Sequence, residues 1–183
     1  MPSDNDLTEK LKGLTQINKA MAFLRFTKEG MSQKILHKLK YRNKPQIGIK
    51  LGNLYGQELF KTGFAEDWDL IIPVPLHPMK QRRRGYNQSE EFAKGLSDAM
   101  NIPWKPLLIR EKFTETQTKK SRIQRMSNVE DVFKVNTQES PNGLKILLVD
   151  DVITTGATLC ACANVLLANG AKTVDLVTIA AGK

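Results

Sequence analysis

Cysteine is scarce, apolar runs are short and acidic residues are outnumbered in this sequence, and each shortage narrows what the chain can be. Cys160 and Cys162 are the only cysteines in 183 residues. Two positions apart on one helix, they point to different sides, so they read as core thiols and not as a metal site. No apolar run is long enough to cross a membrane, and the opening MPSDNDLTEK is too polar for a signal peptide. The cytoplasm is the expected compartment. Neither an internal repeat nor a low-complexity tract occurs. Acidic residues number 19 against 28 lysines and arginines, leaving a formal charge of +9 and a pI near 9.6. An anionic partner follows, without a choice between nucleotide phosphates and nucleic acid.

The 40% of hydrophobic residues suffices for one good core, so a single domain over residues 1–183 is expected. Within it residues 1–16 are polar and expected to be poorly ordered. Residues 17–65 form a helical N-terminal region and residues 66–183 the core.

That core is organised around residues 145–170. Ile146, Leu147, Leu148 and Val149 form an unbroken apolar run, the pattern of a parallel strand covered on both faces. Asp150 and Asp151 stand where that strand is expected to end. Val152 and Ile153 lead into Thr154, Thr155, Gly156, Ala157 and Thr158, where nothing bulky separates a ligand from the backbone. Leu159, Cys162, Ala163 and Leu166 then fall at helical spacing, with Asn169 and Gly170 as a stop. The first turn of such a helix offers free N–H groups and a positive dipole end to an anion. A phosphate suits the loop, while the carboxylates suit sugar hydroxyls. A ligand that is both phosphate and polyol satisfies both halves. The plain alternative for an acidic pair taken alone is a solvated strand end.

Upstream, Met21, Phe23, Leu24 and Phe26 are candidates for burial. Residues 30–42 read as a basic amphipathic helix with Met31, Ile35, Leu36 and Leu39 on its stripe and Lys34, Lys38 and Lys40 around it. A solvated basic face is the simplest meaning of those lysines. Residues 46–60 make another helix, burying Ile49, Leu51, Leu54, Tyr55 and Leu59. A strand over residues 68–74 ends among Pro73, Pro75 and Pro78, which together force a rigid loop. Lys80, Arg82, Arg83 and Arg84 continue it as a basic loop. Asn87 with Glu90 forms a capping-box pattern for a helix whose stripe is Phe92, Leu96, Ala99 and Met100. Short strands at residues 107–110 and around Val132, Phe133 and Val135 flank a long cationic segment. That segment has two readings, a lid over an anionic leaving group and a disordered basic loop. Residues 173–180 supply the last strand. Strands alternating with helices give an α/β fold whose crossovers favour a parallel sheet.

The stretch ILLVDDVITTGAT, residues 146–158, resembles over its whole length the phosphoribosyl pyrophosphate (PRPP) signature of type I phosphoribosyltransferases. The resemblance implies their α/β fold, a mainly parallel central sheet flanked by helices with a small N-terminal hood, here residues 17–65. It implies that Val149, Asp150, Asp151, Val152, Ile153, Thr154, Thr155, Gly156, Ala157 and Thr158 bind PRPP. The two aspartates would take the ribose 2′- and 3′-hydroxyls, and residues 154–158 the 5′-phosphate. In the 6-oxopurine enzymes an aspartate holds the position of Thr154, and its lack here counts against a purine acceptor.

Residues 69–96, DLIIPVPLHPMKQRRRGYNQSEEFAKGL, are similar to the ComF-type (competence protein F) phosphoribosyltransferase-like family. Thr114 with Gln117 and Arg125 with Asn128 also resemble that family, whereas the four-cysteine zinc ribbon that opens many members is missing. The resemblance implies transfer of phosphoribosyl from PRPP to an amine or base acceptor, with pyrophosphate released. Val74, Pro75, Leu76, His77, Arg82, Arg83 and Arg84 would meet the pyrophosphate. Asp150, Asp151, Lys119, Lys120, Arg122 and Arg125 would be catalytic, and Mg²⁺ would be held through substrate oxygens with no direct protein ligand. Amidophosphoribosyl transfer from glutamine needs a glutaminase cysteine, and no N-terminal cysteine is present. Ammonia, another amine or a partner-delivered nucleophile is then required. Two further readings stay open: a competence accessory that holds single-stranded DNA or a competence-machinery protein, and a PRPP-sensing regulator without turnover. Near the basic segments only Tyr86 and Phe113 are available to stack on bases, which is thin support for DNA. A homodimer is also left open.

Overall fold

The computed structural model describes residues 6–27, 29–111, 132–136 and 139–182. Lys119, Lys120, Arg122 and Arg125 lie outside the described residues, and the lid expectation lies there with them. Strands β1 (Ala20–Arg25), β2 (Leu70–Pro73), β5 (Lys145–Ile153) and β6 (Thr173–Ala181) form a parallel sheet in the order β1-β6-β5-β2. This is the α/β architecture expected. Strands β3 (Leu108–Arg110) and β4 (Phe133–Val135) depart from it, pairing antiparallel in a sheet of their own.

Side-chain alternation along β5 sets the layers. Ile146 and Leu148 enter a core shared with Leu159, Cys162, Ala163 and Leu166 of helix α6 (Ala157–Ala168). Leu147 and Val149 enter the opposite core with Phe92, Ala93 and Leu96 of α5 (Gln88–Met100). A side chain fully buried in this way contributes about 1.5–3 kcal/mol by transfer alone, which is why an apolar run on both faces dictates a central strand. Both cysteines are free and buried, as core thiols should be.

Several expectations are corrected. The polar N-terminus carries helix α1 (Asp6–Lys12), whose Leu11 is fully buried. Thr8 fastens it to the sheet, its Oγ1 donating to the Ala20 carbonyl at 3.2 Å and accepting from the Ala20 N–H at 3.0 Å. The apolar residues 20–25 join the main sheet as an edge strand beside β6, so the N-terminal helical region begins only at α2 (Met31–Tyr41). Met31, at the first turn of α2, is 71% exposed and leaves the predicted stripe to Leu36 and Leu39. In α3 (Pro45–Lys61) the buried face is Gly48, Gly52, Gly56 and Leu59, while Leu54 is 45% exposed. These glycines let α3 and α5 touch backbone to backbone. A Cβ on Gly52 would stand 2.2 Å from the Phe92 carbonyl oxygen, and one on Gly95 2.0 Å from that of Ile49.

The predicted basic loop is a helix, α4 (Pro78–Arg84). His77 caps it, Nδ1 accepting from the Met79 N–H at 3.2 Å, and Pro78 in the first turn spends no donor. Gly85 closes it at φ +83°. Strand β5 also outruns its expected end, since Asp150 still pairs with Thr178 and Val152 with Ala180. Among the described residues no helix is long and apolar enough to cross a membrane.

Candidate phosphate and ribose site

All four main-sheet strands are parallel, so their carboxyl ends gather at one edge, where Asp150 and Asp151 lie on β5. Asp150 Oδ1 accepts from Ser89 Oγ at 2.9 Å and from the Asp151 N–H at 2.8 Å. Asp151 Oδ2 pairs with Lys40 Nζ of α2 at 2.9 Å. Burial, and then the neighbouring Asp151 charge, push the Asp150 carboxyl up to about 7; the two hydrogen bonds and Lys40 pull the other way. The site thus sets a carboxyl whose proton is held toward neutral pH beside one paired with a lysine.

Ser89 is placed by the start of α5. Asn87 accepts from the Ser89 N–H at 3.1 Å, while its amide donates to the Val74 carbonyl at 3.0 Å and to Glu90 Oε1 at 3.2 Å. The capping pattern therefore also ties the end of β2 to the helix that presents Ser89. Val74 itself donates to the Val149 carbonyl at 2.8 Å. That bond removes its N–H from the predicted pyrophosphate contacts, and Pro75 has none to give. Leu76 stays among the expected backbone donors of that loop, and the His77 side chain is engaged in capping α4.

Beyond β5, Thr154 is exposed, Thr155 half-buried, and Gly156 caps α6 at φ +83°. Leu11 of α1 closes one side, lying 2.3 Å from where a Gly156 Cβ would stand, and Lys10 Nζ reaches the Thr154 carbonyl at 3.4 Å. Val149 and Ile153 belong to the cores, so within the predicted PRPP segment they are scaffold. Asp150, Asp151, Thr154, Thr155, Gly156, Ala157 and Thr158 lie on one continuous strand, loop and helix start.

Cations gather near the carboxylates as well, Arg110 within electrostatic reach of Asp150. Burial, then the charges of Arg110, Arg84, Lys40 and Arg83, lower the Lys80 ammonium below its ordinary value. Burial followed by Arg110 and Lys80 does the same to His77. Arg84 is held by Gln88 at 2.7 Å and lies over the Tyr41 ring, whereas Arg82 and Arg83 face solvent. Three contributors escape sequence reasoning. Ser89 sits inside the Arg84–Ser89 motif and the capping box, a readable signal. Lys40 and Arg110 reach the site only through tertiary packing, and nothing local marks them.

Among the described residues no three of His, Cys, Asp and Glu group to hold a metal ion. Two adjacent carboxylates, one spent on Lys40, are too few for an all-protein cage. They do fit an ion carried by substrate oxygens and water.

Residues 86–183 match the family model described as the phosphoribosyl transferase domain. The chain is 33% identical over 147 residues to the DNA utilization protein YhgH of Escherichia coli (strain K12), covering 78% of this chain and 63% of that protein. It is 38% identical over 111 residues to Competence protein F of Haemophilus influenzae, covering 59% and 48%. With Competence protein ComFC of Bacillus subtilis the identity is 30% over 145 residues, covering 79% and 57%. The chain thus spans less than two thirds of these relatives. Among solved structures it is similar in fold to the glutamine PRPP amidotransferase from B. subtilis complexed with ADP and GMP. That match has a TM-score of 0.51 and 21% identity, covering 77% of this chain and 30% of that one.

Proposed function

The chain belongs to the phosphoribosyl transferase domain family, with competence protein F and ComFC among its relatives, and from that premise we propose that it binds PRPP and transfers its phosphoribosyl group to an amine or base acceptor, releasing pyrophosphate. One observation carries the reading: two carboxylates fixed by Ser89 and Lys40 stand directly ahead of a loop whose Gly156 starts a 12-residue helix. N–H groups and the helix dipole at residues 154–158 suit a 5′-phosphate. The carboxylates beside them suit the 2′- and 3′-hydroxyls, whose O–H groups donate.

With the sugar so held, the leaving group points toward the loop after β2. There Leu76, His77, Lys80, Arg84 and Arg110 supply donors and positive charge for the pyrophosphate as it separates. Lys119, Lys120, Arg122 and Arg125 enter the reading by charge alone, in the same role. Mg²⁺ held through substrate oxygens would neutralise part of that departing charge. Lys40, which lies near both Asp151 and Lys80, links the sugar side to the pyrophosphate side. The acceptor lone pair forms the new bond at C1′ while the C1′–O bond breaks and its electrons leave with pyrophosphate.

Calorimetric titration of PRPP with and without Mg²⁺, on the native chain and on Asp150→Asn/Asp151→Asn, tests the reading. Mg²⁺-dependent binding lost in the double variant is expected. A folded native protein that takes up no PRPP sinks it.

The exposed Arg82 and Arg83 and the relatives' names favour a second reading, an accessory that holds single-stranded DNA. Binding indifferent to sequence and steeply weakened by salt would mark that role.

A further inference from the structure

A cavity of about 600 Å³ lies at the carboxyl ends of β1 and β6, under α1. It lies outside the carboxylate site but borders it. Ala181, in its wall, pairs in register with Arg25 on one side and Ile153 on the other. Gly182 donates to the Ile153 carbonyl at 2.8 Å, and Lys10, another lining residue, reaches the carbonyl of Thr154. The cavity therefore opens one strand away from the phosphate loop.

Strand order gives that position a chemical meaning. The β2 loop, proposed above to meet pyrophosphate, lies on one side of β5, and β6 lies on the other. Displacement at a sugar carbon brings the nucleophile to the face opposite the leaving group. With pyrophosphate on the β2 side, the acceptor must approach from over β6 and β1, where the cavity is.

Its lining narrows the class of acceptor. Leu7, Leu24 and Ala181 supply apolar walls for a flat ring, and the volume lies in the range of small-molecule sites. Lys10 and Arg25 set two positive charges against the single carboxylate of Asp6, an excess that favours an anionic substituent. Asp6 in turn suits a group that carries N–H.

We propose that this cavity is the acceptor pocket and takes a small planar aromatic amine bearing a carboxylate. The inference rests on the PRPP reading above. The amine lone pair forms the bond to C1′, the C1′–O bond breaks with its electrons going to pyrophosphate, and the surplus amine proton passes to the Asp6 carboxylate or to water.

The probe is 2-aminobenzoate, titrated into the full chain by its own fluorescence. Saturable binding is expected, weakened about tenfold by Arg25→Met, about tenfold when aniline replaces it, and abolished by Leu24→Trp, which fills the cavity. Arg25 is exposed, so its variant keeps the fold, which circular dichroism verifies. Absence of saturation, aniline binding as tightly, or indifference to both substitutions overturns the proposal. PRPP titration of the same samples separates the two readings. PRPP binding without 2-aminobenzoate binding overturns the acceptor pocket and leaves the phosphoribosyl reading standing. The converse sinks the phosphoribosyl reading and the acceptor role with it. Where both bind, pyrophosphate release that needs 2-aminobenzoate is expected, and its absence overturns the acceptor role.

Discussion

Asp150→Asn should stabilise the ligand-free protein in alkaline buffer while abolishing PRPP binding. Burial, reinforced by Asp151, lifts this carboxyl from an ordinary 3.8 to about 7. An unfolded chain gives up the proton near pH 4, the folded protein only near pH 7, so the folded state holds more proton in between. Stability therefore falls as pH rises through that window, and the full cost is present above pH 7. At about 1.4 kcal/mol per pH unit the ceiling is about 4 kcal/mol. Asp150 keeps partial contact with water, and solvent screening brings the working figure to about 2 kcal/mol. Asparagine retains the Oδ1 that accepts from Ser89 and from the Asp151 N–H, so the substitution removes a charge and no hydrogen bond. Urea titrations at pH 4 and pH 8 measure the effect. The variant should be more stable by about 2 kcal/mol at pH 8, with a melting point several degrees higher, and the curves should converge at pH 4. Equal or lower stability at pH 8, or a difference indifferent to pH, would refute the reasoning.

Three other outcomes follow from the geometry. Gly52→Ala and Gly95→Ala should each cost roughly 2–3 kcal/mol or more in urea unfolding, because backbone stands where the methyl must go, whereas Gly13→Ala, with nothing within 4 Å, should stay within about 0.5 kcal/mol. Lys40→Met leaves Asp151 without its ion-pair partner and should lower stability by about 1–3 kcal/mol at pH 8; a melting curve that does not shift would show the pair contributes nothing. Burial pushes the Cys160 thiol up to about 11 and Cys162 well above its usual value, so thiol reagents should label the protein only as fast as it unfolds, and rapid labelling in native buffer would contradict the packing.

Legibility in the sequence followed the range of the cause. The β5 run, the α6 stripe and the Asn87–Glu90 cap are local patterns, and each forms where the residues put it. The α4 helix was hidden because prolines that end a strand also begin a helix, and only the His77 cap and Gly85 decide between the two. The α3 contact face is not marked by large apolar residues: Gly48, Gly52 and Gly56, four apart, carry the contact with no side chain at all. A small-residue period was there to be seen. Strand β1 was hidden because its six residues lack an alternating pattern, being pinned between α1 and β6. Lys40 and Arg110 illustrate the limit, since a lone cation on a helix or at a strand end looks the same whether it meets water or a carboxylate.

The position of β6 bears on how the molecule comes to exist. This strand, late in the chain, lies between the first strand and β5. Among the described residues β1 pairs in the sheet with β6 alone, Ala20 meeting Leu176 across most of the chain between them. The edge strand can therefore join the sheet only once β6 is in place beside β5. Closure over such sequence distances is slow, so the docking of β1 and α1 should be the late step in folding of this sheet and the pairing of β6 with β5 the step that permits it.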